Sequence, residues 1–169
     1  MLFRSHFTPS KSQRRSRRRN EDLTVTVDHP EPTDEKYDLY RRYLAGRHKP
    51  TKTDDRSSFE LFLYDSPVET IEMCYRDGTG KLLAVGICDV SSKALSSVYF
   101  YFDPDHSRRG LGTFGALHEI GFAKEMKIPH YYLGYWIKGC ETMDYKASYR
   151  PCEVLQPDGT WRELPPNEA

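Results

Sequence analysis

The chain has 169 residues, of which 37% are hydrophobic and 30% are charged, with a net charge of zero. This length predicts one domain with its own core, and the high charge predicts that part of the chain is extended. The sequence has no apolar run of about 18 residues and no secretory signal, which argues against a membrane protein and favours a cytoplasmic one. The 4 cysteines form no C-x-x-C pair and the 6 histidines show no metal-ligand spacing, so we expect reduced thiols, no metal and no cofactor.

The zero net charge hides a strong asymmetry. Residues 1–20 contain seven arginines or lysines and no acid, so the remaining residues carry seven more acids than bases. We therefore predict a basic N-terminal arm over residues 1–20 and one folded domain over residues 21–169. A basic arm on an acidic body favours a polyanionic partner, and a solvated, disordered tail or a targeting-like segment is the alternative.

Residue type and capping signals place the first elements of the folded part. Residues 23–27 alternate and are rich in β-branched side chains, which predicts a short strand. Thr33 is suited to cap a helix that has Asp34 and Glu35 in its first turn, and tyrosines then recur at helical spacing. The capping-box pattern that begins at Ser57 predicts a second, short helix.

The hydrophobic period changes near residue 70. Apolar residues alternate with polar ones from Ile71 to Tyr75, and apolar runs follow at 82–88 and 95–102. Turn residues separate these three segments. They therefore predict three strands joined as an antiparallel meander.

A helix and another strand follow the meander. Gly110 opens the helix, which is predicted to extend to about Lys127, and residues 130–137 are the next predicted strand. A strand–helix–strand connection is right-handed and makes its two strands parallel. Asp158-Gly159 predicts a final hairpin. The predicted fold class is α/β: a mixed sheet with an antiparallel meander, one crossover helix and a splayed strand, which resembles the N-acetyltransferase fold.

The segment 131–151 carries the strongest functional signal in the sequence. It joins an apolar-aromatic strand, interrupted by Gly134, to a polar, basic, tyrosine-rich stretch. A glycine within a strand often marks the close approach of a ligand or of another backbone, and Tyr and Trp side chains suit a half-wet cleft. We interpret the segment as one wall of a binding cleft, with an aromatic core strand as the alternative.

The residues from Ser107 to Thr113 predict an anion-binding loop. Gly110 and Gly112 allow backbone N–H groups to face a ligand at the start of a helix, where the helix dipole favours anions. The loop is similar to the one that holds pyrophosphate in coenzyme A-dependent N-acetyltransferases, except that Ser107 stands where Arg or Gln is expected. A phosphate or carboxylate cradle is the functional interpretation, and a plain glycine-rich turn is the alternative.

Acyl transfer to an amine requires little from side chains. The pKa of an α-amine is about 8, so the main tasks are to position the reactants and to stabilise the oxyanion. The sequence shows no Ser-His-Asp pattern. We expect His118, which lies on the crossover helix, to be a surface or flank residue rather than a catalyst. Cys140 is better explained as a structural or bystander thiol than as a nucleophile.

Several blocks of the sequence, in the same order, resemble the aminoacyl-tRNA–protein transferases of the N-end rule, over roughly residues 7–161. The match is specific because the blocks occur together, whereas no single block would suffice. The blocks are Ser12-Gln13-Arg14-Arg15; Arg18-Arg19-Asn20 with Asp22-Leu23; Leu39-Tyr40-Arg41-Arg42-Tyr43-Leu44 with Arg47-His48; Ala84-Val85 with Asp89; Ser97-Val98-Tyr99 with Phe102-Asp103-Pro104; Leu111-Gly112-Thr113; Tyr132-Leu133-Gly134-Tyr135-Trp136-Ile137; and Met143, Tyr145-Lys146-Ala147, Pro151 and Glu153.

This resemblance implies transfer of leucine or arginine from a charged tRNA to the N-terminal α-amine of proteins that begin with Asp or Glu, which marks them for degradation. We favour leucine, because compact members of the family are bacterial. The alternatives are a coenzyme A-dependent N-acetyltransferase and an inactive paralogue that binds tRNA or protein. Family members also carry a cysteine-containing N-terminal region. We therefore expect a stand-alone C-terminal domain, a truncated paralogue, or one half of a split enzyme whose partner is a separate N-terminal domain.

The resemblance also implies roles for individual residues. Arginines of the basic arm would hold the tRNA backbone, with affinity that falls steeply as salt rises. Aromatic side chains would stack on the terminal adenine or receive the aminoacyl group, Lys146 would contact a phosphate, and Arg76 or Arg150 would bind the acidic acceptor. No general base is identified. The full set comprises Arg14, Arg15, Arg18 and Arg19 for tRNA; Tyr132, Tyr135, Trp136, Tyr145, Lys146, Gly110, Gly112, Thr113, Arg76 and Arg150 for substrates; and Ser97, Tyr99 and Asp103 for positioning.

Overall fold

The computed structural model describes residues 2–3, 7–47, 55–140 and 142–165. None of the helices in these ranges is long and apolar enough to cross a membrane. The elements are β1 (Leu2–Phe3), α1 (Lys11–Arg18), β2 (Thr24–Asp28), α2 (Asp34–Arg47), α3 (Arg56–Leu63), β3 (Thr70–Arg76), β4 (Leu82–Val90), β5 (Ala94–Phe102), a 3-10 helix (Pro104–Arg109), α4 (Leu111–Glu125), β6 (His130–Tyr132), a second 3-10 helix (Asp144–Ser148), β7 (Glu153–Leu155) and β8 (Trp161–Glu163).

The strands of the described ranges form an eight-stranded mixed sheet in the order β2-β3-β4-β5-β6-β1-β7-β8. Strands β2 to β5 are antiparallel neighbours. Helix α4 then crosses over to β6, which pairs in parallel with β5 from Ala94 to Ser96. Strands β7 and β8 form the final hairpin. The predicted meander, crossover and hairpin are all confirmed.

Helices cover both faces of the sheet. On β4, Val85 and Ile87 belong to a buried cluster with α2 and α3. Ala84 and Cys88 belong instead to the clusters that contain residues of α4. This division follows the two-residue period of a strand, and a buried strand between two helical layers explains why β4 is apolar on both faces.

The basic segment forms a helix that packs on the domain. Ser10 caps α1, and its capping box includes Gln13. Gln13, Ser16 and Asn20 are buried, at a helical spacing that places them on one face. The described part of residues 1–20 is therefore not the separate arm that we predicted from charge. Its inward face is polar, so hydrophobic periodicity gives no sign of the packing.

Two predicted boundaries are also corrected. Helix α3 is capped by Asp55, whose carboxylate accepts a 2.8 Å hydrogen bond from the Ser58 N–H, rather than by Ser57. Strand β6 ends at Tyr132, not at residue 137. Gly134 has φ of +78°, a conformation that glycine adopts without strain, and the chain has left the sheet at this point.

Candidate active site

A cleft opens where β5 and the chain after β6 part from each other. The two strands pair only up to Ser96 and Tyr132, whereas β5 continues to Phe102. The resulting cavity has a volume of about 300 Å³ and is lined by Tyr43, Ser97, Phe100, Phe102, Ser107, Gly110, Leu111, Gly112, Thr113, Ala116, Glu119, Leu133, Thr142 and Tyr145. It therefore joins the glycine loop to the segment after β6.

A β-bulge in β5 determines which side chains face the cavity. Cys88 pairs with Ser97 and Ile87 pairs with Tyr99, so Val98 is the extra residue. The bulge shifts the alternation of the strand, and both Ser97 and Phe100 line the cavity. The structure places Tyr99 elsewhere, in ring contact with aromatic residues of α2 and α3.

The start of α4 forms one end of the cavity. Gly110 has φ of +69°, and among the described residues no side chain caps the helix that follows. The first N–H groups of a helix have no partner within it, so they suit an anion. Gly110, Gly112 and Thr113 all line the cavity here, which supports the cradle interpretation over a plain turn.

Helix α1 and the two residues that follow it hold this loop through the carbonyl groups of three successive residues. Arg19 donates to the Arg108 carbonyl at 3.2 Å, Asn20 donates to the Arg109 carbonyl at 3.0 Å, and Ser16 donates to the Gly110 carbonyl at 2.9 Å. These bonds fix the chain just ahead of α4. They also place the arginine-bearing helix beside the predicted phosphate cradle.

The predicted tRNA-binding arginines lie on the outer face of α1. Arg14, Arg15, Arg18 and Arg19 are all exposed. Arg14 donates to the Pro9 carbonyl at 2.6 Å, which occupies part of its guanidinium. The arrangement presents positive charge next to the loop that closes the cavity.

Glu119 is the site residue that sequence reasoning missed. It lines the cavity, is 1% exposed and accepts a 2.6 Å hydrogen bond from the Tyr131 hydroxyl. Burial raises the pKa of Glu119 to about 7, although hydrogen bonding by Tyr131, Ser97 and Cys88 opposes the rise. One sequence signal was available: an acid beside Ala116 on an otherwise apolar helix face.

The segment 131–151 contributes less of its surface to the cavity than predicted. Leu133, Thr142 and Tyr145 line it, but Tyr135 is 86% exposed. Trp136 packs on a core cluster. Tyr132 contacts the ring of Trp161 in the final hairpin.

Lys146 fixes the path of this segment. Its ammonium group donates a 2.8 Å hydrogen bond to the Tyr135 carbonyl. Burial lowers the pKa of Lys146. Lys146 is not among the residues that line the cavity, and the phosphate contact predicted for it stays a prediction.

Three predicted polar residues lie in structural interactions outside the cavity lining. Burial raises the pKa of Asp103, but ion pairs with Lys81 and Arg42 outweigh it and hold the pKa at about 2. Arg76 pairs with Glu35 at 2.6 Å, and Arg150 donates to the Leu164 carbonyl. Sequence order did not reveal these partners, since most lie far from the residue along the chain.

The fold and the cleft define a member of the N-acetyltransferase-like class of acyltransferase folds. The ribosomal-protein-S18-alanine N-acetyltransferase of Escherichia coli superposes with a TM-score of 0.56 at 18% identity, covering 82% of this chain and 88% of that one. L-PGS from Bacillus licheniformis superposes with a TM-score of 0.63 at 13% identity, covering 96% and 59%. At such low identity these similarities concern the fold alone.

The family is shown by sequence. The model of the family described as "Arginine-tRNA-protein transferase, C terminus" matches residues 35–156, and the chain belongs to this family. It is 46% identical over 157 residues to the aspartate/glutamate leucyltransferase of Stenotrophomonas maltophilia (strain R551-3), covering 89% of this chain and 62% of that protein. It is 42% identical over 162 residues to the aspartate/glutamate leucyltransferase of Nitrosococcus oceani, covering 95% and 68%. The chain thus spans about two thirds of the length of these relatives.

Proposed function

We propose that this protein transfers leucine from leucyl-tRNA to the N-terminal α-amine of proteins that begin with Asp or Glu, and so marks them for degradation. The observation that carries the proposal is the cavity, which connects an uncapped helix terminus with a chamber that has both apolar and polar walls. Family membership and the names of the relatives support the same reaction. We propose a cytoplasmic location, because the proposed donor is a tRNA.

We propose leucine rather than arginine as the transferred residue because of the names of the relatives. Phe100, Leu133 and Ala116 are apolar, and Glu119 is the one charged residue that lines the cavity in the described ranges. The hydroxyl groups of Tyr43, Ser97, Ser107, Thr113, Thr142 and Tyr145 also line it, so its walls mix apolar and polar groups.

The donor would approach across α1 and the glycine loop. Arg15, Arg18 and Arg19 would contact tRNA phosphates, and the N–H groups at the start of α4 would hold a phosphate close to the aminoacylated end. The aminoacyl ester would then lie deeper, between Ser97 and Leu133. Exposed Tyr135 and half-exposed Tyr145 would offer rings for stacking with terminal bases.

The reaction needs no covalent enzyme intermediate. The acceptor amine, once it has lost a proton, attacks the ester carbonyl carbon, so that a C–N bond forms and the C–O bond to the ribose breaks. The proton lost before the attack goes to solvent. The attacking nitrogen releases a second proton as the amide forms, and the ribose oxygen takes up one proton, so the step balances. A bulge leaves its extra residue outside the strand ladder, so the backbone N–H at Val98 is our candidate donor to the oxyanion.

We propose Arg76 and Arg150 as two candidate residues that bind the acidic acceptor terminus. Arg76 and Arg150 both already donate hydrogen bonds within the domain. Either would have to exchange or share these partners to bind an Asp or Glu side chain. We also propose that a separate N-terminal domain contributes to this acceptor-binding site. It would correspond to the part of the relatives that this chain does not match.

A coenzyme A-dependent acetyl transfer is the competing function, favoured by the glycine loop and by the fold. Calorimetry with acetyl-coenzyme A separates the two functions. Micromolar binding would count against the tRNA reaction. The substitution of Ser107 for the expected Arg or Gln predicts that no such binding occurs.

The direct test is transfer of radiolabelled leucine from leucyl-tRNA to peptides that begin with Asp, Glu or Ala. We expect labelling of the Asp and Glu peptides and not of the Ala peptide, with arginyl-tRNA inactive. The assay is run with the chain alone and with the unmatched region of a curated relative added. Tight tRNA binding without transfer under both conditions would instead identify an inactive binding paralogue.

A further inference from the structure

Glu119 combines deep burial with an incomplete set of partners. Its Oε2 atom accepts from Tyr131. Its Oε1 atom makes no hydrogen bond of standard geometry within the described ranges, although Ser97 and Cys88 lie close enough to lower its pKa. A Cβ atom at Gly86 would lie 2.9 Å from Oε1, so the absence of a side chain at Gly86 makes room for the carboxyl group.

A buried carboxylate is costly unless a cation accompanies it. In the part of the chain that the structure describes, no lysine or arginine forms an ion pair with Glu119, whereas buried Glu72 pairs with Lys36 and buried Asp103 pairs with two cations. The carboxyl group faces a cavity that would hold the reactants. A cationic group of a reactant would therefore complete its interactions.

We propose that Glu119 binds the protonated α-amine of the donor aminoacyl group, and thereby selects aminoacyl donors over acetyl or N-blocked donors. This inference rests on the proposed function. An aminoacyl ester carries a free ammonium group next to its carbonyl carbon, and an acetyl group carries none. One carboxylate at the end of the cavity where the reaction takes place is enough to discriminate between an aminoacyl donor and an acetyl donor.

The position of Glu119 favours the donor over the acceptor as its ligand. Glu119 lies eight residues beyond the start of α4, which is about 12 Å along the helix axis. A donor held by phosphate at the glycine loop would extend its aminoacyl end toward this depth. The acceptor brings an acidic side chain next to its own amine, and a buried carboxylate would repel it.

The pKa of Glu119 fits this role. Because burial raises it to about 7, the empty site has both protonation states within reach at neutral pH. A bound ammonium group stabilises the carboxylate form. The donor thus supplies the charge that the protein interior lacks.

The test measures equilibrium binding of two non-hydrolysable probes to the full chain by calorimetry. The first is 3′-deoxy-3′-(L-leucylamino)adenosine and the second is its N-acetyl derivative. A hydrogen bond to a charged group predicts that wild type binds the free amine about tenfold or more tightly. In Glu119→Gln this preference falls to about twofold or less, with the affinity for the N-acetyl probe unchanged.

The control is Glu125→Gln, the same change at an exposed position of the same helix, which should keep the wild-type preference. Equal binding of both probes by wild type overturns the proposal without any variant. A preference that persists in folded Glu119→Gln, or an equal loss for both probes, overturns it as well. Tyr131→Phe keeps the carboxylate and should keep the preference.

The probes also separate this inference from the proposed function. If wild type transfers no leucine but its amine preference disappears in Glu119→Gln, the transfer reaction fails and the ammonium site stands. If wild type transfers leucine and Glu119→Gln keeps the preference, the reaction stands and the ammonium site fails.

Discussion

Replacement of Asp103 by Asn should destabilise the domain by an amount that depends on pH. Asp103 is fully buried, with Arg42 at 2.8 Å and Lys81 at 2.9 Å. It also accepts a hydrogen bond from the Asp105 N–H and so begins the 3-10 helix that leads to the glycine loop. The amide keeps the shape of the side chain and removes its charge.

The magnitude follows from the pKa of the carboxyl group. Its value is about 2 in the folded protein and about 3.9 in an unfolded chain, a difference worth about 2.5 kcal/mol. Arg42 and Lys81 are each almost half exposed, so solvent screening reduces the expected effect to about 1–2 kcal/mol.

The sign of the pH dependence is fixed because folding lowers this pKa. The stabilisation is complete above about pH 4 and is lost as pH falls through about 2. The free energy of unfolding, from urea titrations followed by circular dichroism, should differ between wild type and Asp103→Asn by about 1–2 kcal/mol at pH 7. The difference should fall to roughly half of that near pH 3.

A matched control is available in the exposed neighbour Asp105. Asp105→Asn should change the free energy of unfolding by less than about 0.5 kcal/mol. An Asp103→Asn effect that is the same at pH 3 and pH 7, or that does not exceed the control, would refute the ion-pair argument.

Two further predictions concern α1 and the packing of α4. Arg15→Ala and Arg18→Ala should each reduce the slope of log affinity for tRNA against log salt by about 1, measured by filter binding across a salt series; unchanged slopes would exclude these side chains as phosphate contacts. Gly115→Ala should lower the free energy of unfolding by about 1–3 kcal/mol, because its Cβ would overlap the ring of Phe100. Gly121→Ala, which has open space around it, should be neutral or stabilising by up to about 1 kcal/mol in the same urea titration, and equal effects at the two glycines would contradict the packing argument.

The regular elements were predictable because local patterns agree with the global fold. The alternation from Ile71 to Tyr75 has a period of two, and Asp158-Gly159 supports only a narrow set of turns. A helix between two apolar strands permits essentially one crossover. These local constraints were sufficient to predict the sheet order from β3 to β6.

The remaining features depend on contacts that sequence order does not reveal. Helix α1 packs through Gln13, Ser16 and Asn20, which a hydrophobic pattern does not register. Arg76 donates to Glu35, which lies 41 residues away along the chain. The sequence alone therefore suggested a free guanidinium, whereas the structure shows one that already has a partner. Glu119 becomes a site residue only when β4, β5 and β6 surround it.

The account of function is tested most directly by a competition between donors in one reaction. The chain, with and without the unmatched region of a curated relative, is incubated with an Asp-initiated peptide, leucyl-tRNA, arginyl-tRNA and acetyl-coenzyme A, and the peptide mass is followed. We predict growth by one leucine, with its rate falling as salt rises. Acetylated or arginylated peptide in place of the leucylated product would contradict the account.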